Sequence, residues 1–429
     1  MREIGVGLLG LGVVGSEVAH VLLTRSPRFS EQVGAVVSLK RVLVRDPSKP
    51  RHHDIPQELL TTNPDDVLAA PDIDIVVELI GGEQPAHDYM RKAITLGKHV
   101  VTANKEVIAK NGFRLLTLAA QQGVDLRYEA SVGSGIPILS PLQQDLAANE
   151  ISSVRAIVNG TTNYILTKMA REDLPYEQAL KQAQELGYAE SDPTNDVEGI
   201  DAAYKLAILT SLAFHTPVRP SAIYREGIAN LQPKDFKYAA ELGYAVKLLA
   251  IGKSGDDRIQ ARVHPALIPL DTQLAKVDGV YNAVHIEGDL VGTTVFFGRG
   301  AGGSPTSSTV VADVLTTARS IALGGIIRPR LELNRRLPVM PMDDVVTRYY
   351  FRLSVVDQPG VLAQISRVLG DHKISISSVI QKELNLEAQT AVIVIMTHPS
   401  VERNVRNTVA QLNALPLVEE VSALIRVEH

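Results

Sequence analysis

The 429-residue sequence predicts an α/β protein of two or three domains, and three observations support this prediction. The chain is longer than one hydrophobic core usually serves. An apolar strand, a glycine-rich turn and a helical pattern follow one another at the N-terminus, and strand and helix patterns alternate again near the C-terminus. The composition, 45% apolar and 21% charged, is typical of globular domains.

The charge and the residue usage exclude several classes of protein. A net charge of -5 gives no electrostatic basis for nucleic-acid binding. The absence of cysteine excludes disulfides, thiolate metal sites and cysteine nucleophiles, and it suits a reducing compartment. No apolar run approaches the roughly 20 residues that a membrane span needs, and no secretory leader follows Met1. We therefore expect a cytoplasmic protein that binds neither nucleic acid nor membrane.

The N-terminal strand and turn predict a dinucleotide site. An apolar strand over residues 4–9 precedes the turn, which consists of Gly10, Leu11, Gly12, Val13, Val14 and Gly15. Gly10 would permit the tight turn, Gly12 the approach of a pyrophosphate, and Gly15 close packing of helix against strand. The free N–H groups of the following helix would then face the phosphates. We predict an NAD(P)-binding domain of the Rossmann type over residues 1–138, completed by about residues 305–340.

Charges after the second predicted strand, residues 38–44, bear on the form of the cofactor. An NAD site usually places an acidic residue here for the ribose 2′-OH. Arg45 comes first in this chain, with Lys49 and Arg51 close behind, which suits a 2′-phosphate. Asp46 keeps NAD(H) possible, and a solvated charged turn would explain the same residues. We favour NADP(H).

A lysine lies just past the end of a later predicted strand. Residues 98–102 form the strand, and Lys105 follows within the sequence Ala103, Asn104, Lys105, Glu106. Ligands of open α/β sheets bind at the carboxyl ends of the strands. Lys105 is therefore expected to contact cofactor or substrate, and a surface lysine that starts a helix is the alternative.

The segment 187–205 places five acidic residues in front of one lysine. The acidic residues are Glu190, Asp192, Asp196, Glu198 and Asp201. Asp201 and Lys205 are four residues apart, so on a helix they share one face. A lysine held among carboxylates can orient a substrate and transfer a proton. A solvated acidic loop that caps a helix is the alternative.

Four segments together resemble the homoserine dehydrogenase family, in order, over about the first 340 residues. They are residues 10–15, 102–106, 159–163 and 187–205. The resemblance implies reversible reduction of L-aspartate 4-semialdehyde to L-homoserine with NAD(P)H, an α+β catalytic and dimerisation domain over residues 139–304, and a homo-oligomer, dimer or tetramer. An amino-acid sensor without catalysis and a dehydrogenase for a different amino-acid aldehyde are the alternatives. With no aspartokinase segment before Met1, we expect no bifunctional kinase–dehydrogenase.

The resemblance also implies roles for individual residues. Lys205 matches the proton-donating lysine, and Lys105 matches a second lysine near cofactor and substrate. Asp201 matches a residue that helps bind homoserine, and Glu190 matches the carboxylate that holds the amino group of the substrate. The further candidates for substrate binding are Asp196 and Thr161.

Two other sets of residues take their roles from the resemblance. Gly187 and Gly302 match cofactor contacts. A glycine-interrupted loop, residues 128–138, matches a site for Na⁺ or another monovalent cation. The backbone carbonyls that match this site belong to Glu129, Val132, Ser134 and Ile136. The spacing of the loop alone indicates only a tight turn, although carbonyl oxygens do hold hard cations.

Residues 349–429 predict a separate module behind a proline-punctuated linker, residues 327–344. The patterns follow the order βαββαβ and resemble the ACT domain, which binds small amino acids. The resemblance implies an amino-acid effector, threonine first, near Gln358, Pro359, Gly360 and Val361. A dimerisation module without a ligand is the alternative. We expect removal of the chain after about Met342 to leave an active enzyme that threonine no longer inhibits.

Overall fold

The structure is a computed structural model of the chain, and it describes residues 2–51, 53–255, 257–325, 333, 335–385 and 389–428. Residues 327–332 and 334 of the predicted linker lie outside this set. Two compact units emerge: the first comprises Met1–Val154, Tyr204–Pro220 and Asn282–Arg336, and the second comprises Arg155–Ala203, Ser221–Tyr281 and Leu337–His429. Among the described residues, no helix has the length and apolar character that crossing a membrane requires.

Strands and helices alternate along the N-terminal region, as predicted. In chain order they are β1 (Glu3–Leu9), α1 (Val13–Thr24), α2 (Ser26–Val33), β2 (Val36–Leu43), β3 (Leu60–Thr61), α3 (Asp65–Leu68), β4 (Ile75–Glu78), α4 (Ala86–Thr95), β5 (His99–Thr102), α5 (Lys105–Gln122), β6 (Leu126–Arg127) and α6 (Leu139–Gln143). The strands form a parallel sheet in the order β3-β2-β1-β4-β5-β6. The Rossmann-type prediction is confirmed.

The order of this sheet fixes where a ligand would bind. The chain proceeds from β1 to β2 and β3 on one side, then returns to β4 directly beside β1. The carboxyl ends of β1 and β4 therefore flank the point at which the strand order reverses. Open α/β sheets bind their ligands in the crevice at that point.

The middle of the chain contains the longest strands before the C-terminal region. Its elements are β7 (Ile151–Ile157), α7 (Gly160–Glu172), α8 (Tyr176–Glu185), α9 (Thr194–Val197), α10 (Ile200–Ala213), β8 (Tyr224–Arg225), α11 (Pro233–Glu241), β9 (Tyr244–Ser254), β10 (Ile259–Pro269), β11 (Tyr281–Gly288), β12 (Gly292–Arg299) and α12 (Gly303–Ala322). β9 and β10 pair antiparallel along their whole length, from Tyr244 opposite Pro269 to Ser254 opposite Ile259.

Helix α12 belongs to the first unit although it lies far along the chain. It packs against α1, and its apolar side chains Val310 and Val314 join the core that covers β1. From the other elements Ile4, Val18 and Leu22 enter the same core, all at most 1% exposed. Residues 4–9 of β1 are all buried, so both faces of this strand are covered, which explains why β1 reads as an uninterrupted apolar run.

The C-terminal region has the predicted βαββαβ order, with one additional short strand. Its elements are β13 (Val346–Val356), α13 (Val361–Asp371), β14 (Ile376–Asn385), β15 (Thr390–Thr397), β16 (Ser400–Val401), α14 (Glu402–Asn413) and β17 (Val418–Val427). Strands β17, β13, β15 and β14 lie side by side in that order. Apolar side chains from the sheet and from both helices, among them Phe351, Ile365 and Val405, form one core.

The C-terminal sheet continues into the region that precedes it. β17 pairs in parallel with β10, with Ala266 opposite Arg426 and Leu267 opposite Val427. The strands β9, β10, β17, β13, β15 and β14 are therefore neighbours within one sheet. We predicted a module attached through a linker, and the sequence patterns gave no indication of this pairing.

Buried ion pairs reinforce the pairing of β17 with β10. The guanidinium of Arg426, which is 1% exposed, donates to the carboxylates of Glu402 (Nε to Oε2, 2.8 Å) and Glu226 (Nη1 to Oε2, 2.7 Å). Arg262 on β10 pairs with Glu428, and both side chains are 2% exposed. Burial raises the pKa of Glu402, but the hydrogen bonds and charge of Arg426, together with hydrogen bonds from Tyr349 and Arg406, lower it on balance. Such pairs are costly to break because the remaining charge stays buried.

A buried histidine beside these pairs predicts how the second unit responds to acid. Burial and the neighbouring Arg426 and Arg262 lower the pKa of His264 to about 3, from an ordinary value of 6.5. His264 therefore binds a proton near pH 6.5 in the unfolded chain, but in the folded chain only when the pH falls to about 3. Stability that depends on neutral His264 is complete above pH 6.5 and is lost as the pH falls towards 3.

We expect this histidine to lower the free energy of unfolding by about 3 kcal/mol between pH 7 and pH 4, at ~1.4 kcal/mol per pH unit. His264→Gln keeps an acceptor for the N–H of Arg262. Between pH 7 and pH 4 the free energy of unfolding of this variant should therefore fall by about 3 kcal/mol less than that of the parent. His372→Gln, which alters a surface histidine bonded to Gln411, is the control. Urea unfolding at both pH values measures the difference, and equal declines in parent and His264→Gln would contradict the assignment.

Candidate active site

The glycine turn after β1 has the backbone geometry that its three glycines were predicted to need. Gly10 has φ of 98°, and a Cβ there would lie 2.9 Å from the Leu79 carbonyl oxygen. A Cβ on Gly15 would lie 2.2 Å from the Gly10 oxygen, so the helix passes very close to the strand. Around Gly12, in contrast, a Cβ would meet nothing within 4 Å. The turn thus leaves open space at the glycine expected to approach a pyrophosphate.

Two helix N-termini converge beside this turn. α1 begins at Val13 after Gly12, and α12 begins at Gly303 after Gly302, whose φ is 116°. A Cβ on Gly303 would lie 3.1 Å from Cγ1 of Val13. Neither helix has an acidic residue in its first turn or a side-chain cap. Both therefore offer N–H groups and positive dipole ends, which suit the phosphates of a dinucleotide.

The charged turn after β2 presents cations rather than a free carboxylate. Asp46 Oδ1 accepts hydrogen bonds from the Ser48 backbone (2.9 Å) and hydroxyl (2.6 Å), and these bonds lower the pKa of Asp46. Arg51 donates to the Asp46 carbonyl at 2.6 Å and to the Leu11 carbonyl in the glycine turn at 3.5 Å. Arg45 is exposed at the end of β2. Asp46 thus stabilises its own turn, while Arg45 and Arg51 border the predicted cofactor site.

Lys105 is positioned by a buried hydrogen-bond chain at the carboxyl ends of β4 and β5. The carboxylate of Glu78, fully buried, accepts from the Thr102 hydroxyl at 2.6 Å, and burial raises the pKa of Glu78. The same hydroxyl accepts from the Asn104 N–H at 2.9 Å. Asn104 caps α5 by accepting from the Val107 N–H at 3.1 Å. Lys105 is the first residue of this capped helix, at the sheet edge where a ligand would bind.

In the second unit, one asparagine joins two of the predicted substrate-binding carboxylates. Asn159 caps α7, its Oδ1 accepting from the Thr162 N–H at 2.8 Å. Its Nδ2 donates to Asp196 (2.6 Å) and to Asp201 (2.9 Å). Asn159 and Asp201 are both 4% exposed. The amide is thus the organising group of an acidic cluster whose partners lie 37 and 42 residues farther along the chain.

The other predicted substrate residues of the second unit are arranged around the turn after α8. The Thr161 hydroxyl donates to the Tyr188 carbonyl at 2.7 Å. Gly187 has φ of 73°, which lets the chain reverse directly before Tyr188. Glu190 is exposed, and its backbone carbonyl accepts from Gln184 Nε2 at 3.1 Å. The Glu190 carboxylate is therefore accessible to a charged group of a ligand.

Helix α10 carries the acid–lysine pair singled out in the sequence. Asp201 lies in its first turn, and Lys205 follows one turn later on the same helix face. Asp201 is 4% and Lys205 8% exposed. Charged side chains are rarely this buried without a functional or structural partner.

The predicted cation loop turns sharply at two consecutive residues. Gly133 and Ser134 both have positive φ, 69° and 44°. The Ser134 carbonyl accepts from the Thr309 hydroxyl at 2.6 Å, and the Glu129 carbonyl accepts from the Val132 N–H at 3.4 Å. Each oxygen retains a second lone pair. The carbonyl oxygens of Glu129 and Ser134 could therefore each accept one further partner.

The Glu129 side chain is occupied elsewhere. Its carboxylate accepts three N–H bonds, from Ile138 (2.5 Å), Leu139 (2.7 Å) and Ser140 (2.6 Å), at the start of α6. In the part of the chain that the structure describes, no group of three or more histidine, aspartate or glutamate residues is arranged to hold a metal.

The predicted effector residues lie at the N-terminus of α13. Gly360, with φ of 94°, precedes the helix, which has no side-chain cap and no acidic residue in its first turn. Gln358, Pro359 and Gly360 are exposed, whereas Val361 is 4% exposed. The uncapped N–H groups suit the carboxylate of an amino acid.

Comparison with known proteins decides the family. Three family models match: the homoserine dehydrogenase NAD-binding domain over residues 10–129, homoserine dehydrogenase over residues 137–315, and the ACT domain over residues 349–417. The homoserine dehydrogenase of Neisseria gonorrhoeae is 42% identical over 433 residues, covering 100% of this chain and 99% of the relative. That of Bacillus subtilis is 40% identical over 432 residues, with the same coverage. The chain belongs to the homoserine dehydrogenase family.

Solved structures of homoserine dehydrogenases agree with this assignment. The enzyme from Thiobacillus denitrificans superposes with a TM-score of 0.92 at 42% identity, covering 100% of this chain and 99% of the other. A hyperthermophilic archaeal homoserine dehydrogenase in complex with NADPH has a TM-score of 0.63 at 27% identity, covering 74% of this chain and 98% of the other. The present homoserine dehydrogenase is accordingly an NAD(P)-dependent oxidoreductase with a C-terminal ACT domain.

Sequence reasoning did not foresee the contacts of three residues that organise this homoserine dehydrogenase, although it had already placed Arg51 near a 2′-phosphate. They are Glu78, which anchors the cap before Lys105, Asn159, which joins two aspartates, and Arg51, which reaches the glycine turn. Only Asn159 had a usable signal, because an asparagine before an apolar helical run is a common N-cap. The partners of all three are distant in sequence, so local patterns do not reveal them.

Proposed function

We propose that this homoserine dehydrogenase reduces L-aspartate 4-semialdehyde reversibly to L-homoserine with Lys205 as the proton donor. When bound, NADPH supplies the hydride. The aldehyde oxygen gains negative charge as its carbon is reduced, so a positive donor beside that oxygen stabilises the transition state. Lysine provides both the field and the proton. The observation that carries this proposal is the buried Asp201–Lys205 arrangement on one face of α10.

Carboxylates of the second unit are proposed to hold the substrate ammonium group. Glu190 is the proposed partner of that group, and its exposed position supports this role. Asp201 is proposed to orient both Lys205 and the substrate, with Asp196 beside it. The hydrogen bonds from Asn159 to both aspartates support this assignment because they fix the two side chains. Thr161 is proposed as a further substrate contact, and its hydroxyl binds the Tyr188 carbonyl in the turn after α8.

For the cofactor, we propose the glycine turn, residues 10–15, with Lys105, Gly187 and Gly302 as further contacts. NADP(H) is the proposed preference, and Arg45 and Lys49 are the proposed 2′-phosphate contacts. The engagement of Asp46 by Ser48 supports this preference, because the carboxylate is directed to its own turn rather than to a ribose.

Arg45→Ala is expected to raise KM for NADP(H) by about 10- to 150-fold, the effect of losing a charge-assisted hydrogen bond. The KM for NAD(H), which lacks the phosphate, should change little. Arg41→Ala removes an exposed arginine from the adjacent strand β2 and serves as the control. Initial rates at varied cofactor concentration measure both constants. Equal changes for the two cofactors would show that Arg45 is only a surface charge.

A monovalent cation, Na⁺ first, is proposed to bind the backbone carbonyls of Glu129, Val132, Ser134 and Ile136. The two consecutive residues of positive φ in this loop support the proposal. The ion would stabilise the turn rather than take part in proton transfer, because its donors are neutral carbonyl groups.

An amino-acid effector, threonine first, is proposed to bind the ACT domain near Gln358, Pro359, Gly360 and Val361. The uncapped N-terminus of α13 supports a carboxylate at this position. The effector would act by binding one state of the enzyme better than another, since a ligand shifts an equilibrium only by its differential affinity. We further infer a cytoplasmic homo-oligomer, dimer or tetramer.

Homoserine oxidation, followed through formation of reduced cofactor with NAD or NADP and with or without threonine, tests these proposals together. We expect turnover with both cofactors, a higher kcat/KM with NADP, and inhibition by threonine. An enzyme for a different amino-acid aldehyde would prefer a longer or shorter amino alcohol in the same assay. An amino-acid sensor would bind threonine and show no turnover with any of them.

A further inference from the structure

A cavity of about 400 Å³ lies between α5 and α10 in the first unit. Its apolar walls include Ile108 and Leu116 on α5, Ile208 and Leu212 on α10, and Val218 in the segment after α10. Its volume lies in the range of pockets that take small organic molecules. The lining contains none of the residues assigned above to substrate, cofactor, cation or effector.

The charged residues in the described part of the lining are all basic. Lys110, Arg114 and Arg219 contribute to it, and none of the described lining residues is an aspartate or a glutamate. Lys110 is paired with Glu106 at 2.7 Å and with Glu83 at 2.8 Å, so its charge is compensated. Arg114 and Arg219 are exposed and, among the residues that the structure describes, form neither an ion pair nor a hydrogen bond. Two uncompensated guanidinium groups beside apolar walls favour an anion with an apolar body.

We propose that this cavity binds an apolar carboxylic acid. The aliphatic or aromatic body lies against the walls formed by α5 and α10, and the carboxylate pairs with Arg114 and Arg219. Guanidinium groups match the geometry of a carboxylate, often with two parallel hydrogen bonds. A free amino acid fits less well, because its ammonium group finds no acidic partner among the described residues of the lining. The ligand therefore differs in class from the substrate and from the proposed ACT effector.

The position of the cavity relates it to the two candidate lysines. Ile108 lies three residues after Lys105 on α5, and Ile208 lies three residues after Lys205 on α10. Residues three apart are neighbours on a helix surface. A ligand in the cavity contacts both helices one turn from the lysines. It would alter turnover by changing the distance between α5 and α10, and with it the distance between Lys105 and Lys205. That effect on turnover rests on the proposed function, whereas binding itself does not.

Binding is tested on the full chain with 4-phenylbutanoate, using 4-phenylbutanol as the uncharged counterpart and titration followed by ligand-detected NMR. We expect saturable binding of the acid with a dissociation constant on the order of 1 mM, as its size permits. The alcohol should bind at least about 10-fold more weakly, because it makes no charge-assisted bond. Saturating homoserine and NADP should not displace the acid.

Variants of the lining locate the site. Arg114→Gln combined with Arg219→Gln should weaken the acid about 10-fold or more and leave the alcohol unchanged. Leu116→Trp should block both ligands by filling the cavity, and Arg91→Gln, which alters an exposed arginine on α4, should change neither.

Three results would overturn the proposal: no saturable binding of the acid at about 20 mM, twenty times the expected constant, equal binding of acid and alcohol, or displacement by homoserine. The double variant alters only exposed side chains, so it stays informative where Leu116→Trp fails to fold. Normal acid binding by a chain that does not oxidise homoserine would refute the proposed function and leave this proposal standing.

Discussion

Lys205→Ala is expected to lower kcat for homoserine oxidation by about 10²–10⁴-fold, the usual contribution of a general acid or base. The affinity for NADP should change little, because the predicted dinucleotide contacts lie in the glycine turn and at the start of α12. Steady-state rates give kcat, and the fluorescence of bound NADPH gives the affinity. A variant with kcat within a factor of about three of the parent would refute the role of Lys205.

Two further substitutions separate charge from proton transfer. Lys205→Arg retains a positive charge but holds its proton far more tightly, so it should restore only the electrostatic part of the rate. Lys168→Ala removes a lysine that forms an ion pair with Glu172 on α7, and it should leave kcat unchanged. Full activity of Lys205→Arg would mean that Lys205 supplies a field and that another group supplies the proton.

Arg426→Leu is expected to lower the free energy of unfolding by about 3–5 kcal/mol, the cost of leaving one member of a buried ion pair without its partner. Arg426 is 1% exposed and binds the carboxylates of Glu402 and Glu226. Loss of the guanidinium leaves Glu402, which is fully buried, with a charge that has lost its main partner. Arg406→Leu is the matched control, because Arg406 also pairs with Glu402 but its side chain is 43% exposed. That change should cost at most about 1 kcal/mol.

The same contacts change the expected result of removing the ACT domain. Truncation after Met342 would remove Arg352, which pairs with the fully buried Asp235 at 2.7 Å, as well as Arg426 and Glu428. It would also remove the strand that pairs with β10. We therefore expect the truncated chain to unfold or aggregate rather than to remain an active, threonine-insensitive enzyme. Urea unfolding of Arg426→Leu, Arg406→Leu and the truncated chain compares all three, and a stable, active truncated enzyme would contradict this account.

The sequence predicted the fold well wherever periodicity and turn chemistry act locally. The strand, glycine turn and helix at residues 4–24 were read correctly because Gly10 and Gly15 have local backbone reasons to be there. The φ of Gly10 is 98°, and a Cβ on Gly15 would lie 2.2 Å from the Gly10 oxygen. The βαββαβ order after Met342 was readable from alternating apolar runs. The pairing of β17 with β10 was not, because an edge strand carries no sequence signal for its neighbour.

The candidate site was predictable in its chemical groups but not in its supporting contacts. Lys105, Lys205 and Asp201 stood out through their spacing and their place at element ends. Asn159 and Glu78 did not, because their importance lies in hydrogen bonds to residues far along the chain, as in the Asn159–Asp201 bond. Ion pairs such as Arg262–Glu428 span 166 positions and arise only from the tertiary fold.

Transfer of labelled hydride tests the central claim most directly. The purified chain is incubated with L-aspartate 4-semialdehyde and NADPH that carries deuterium on one face or the other of C4. We predict that one of the two labelled cofactors yields homoserine one mass unit heavier, and that Lys205→Ala forms this product at least about 100-fold more slowly. Absence of labelled homoserine with both cofactors, or unchanged labelling by Lys205→Ala, would contradict the account.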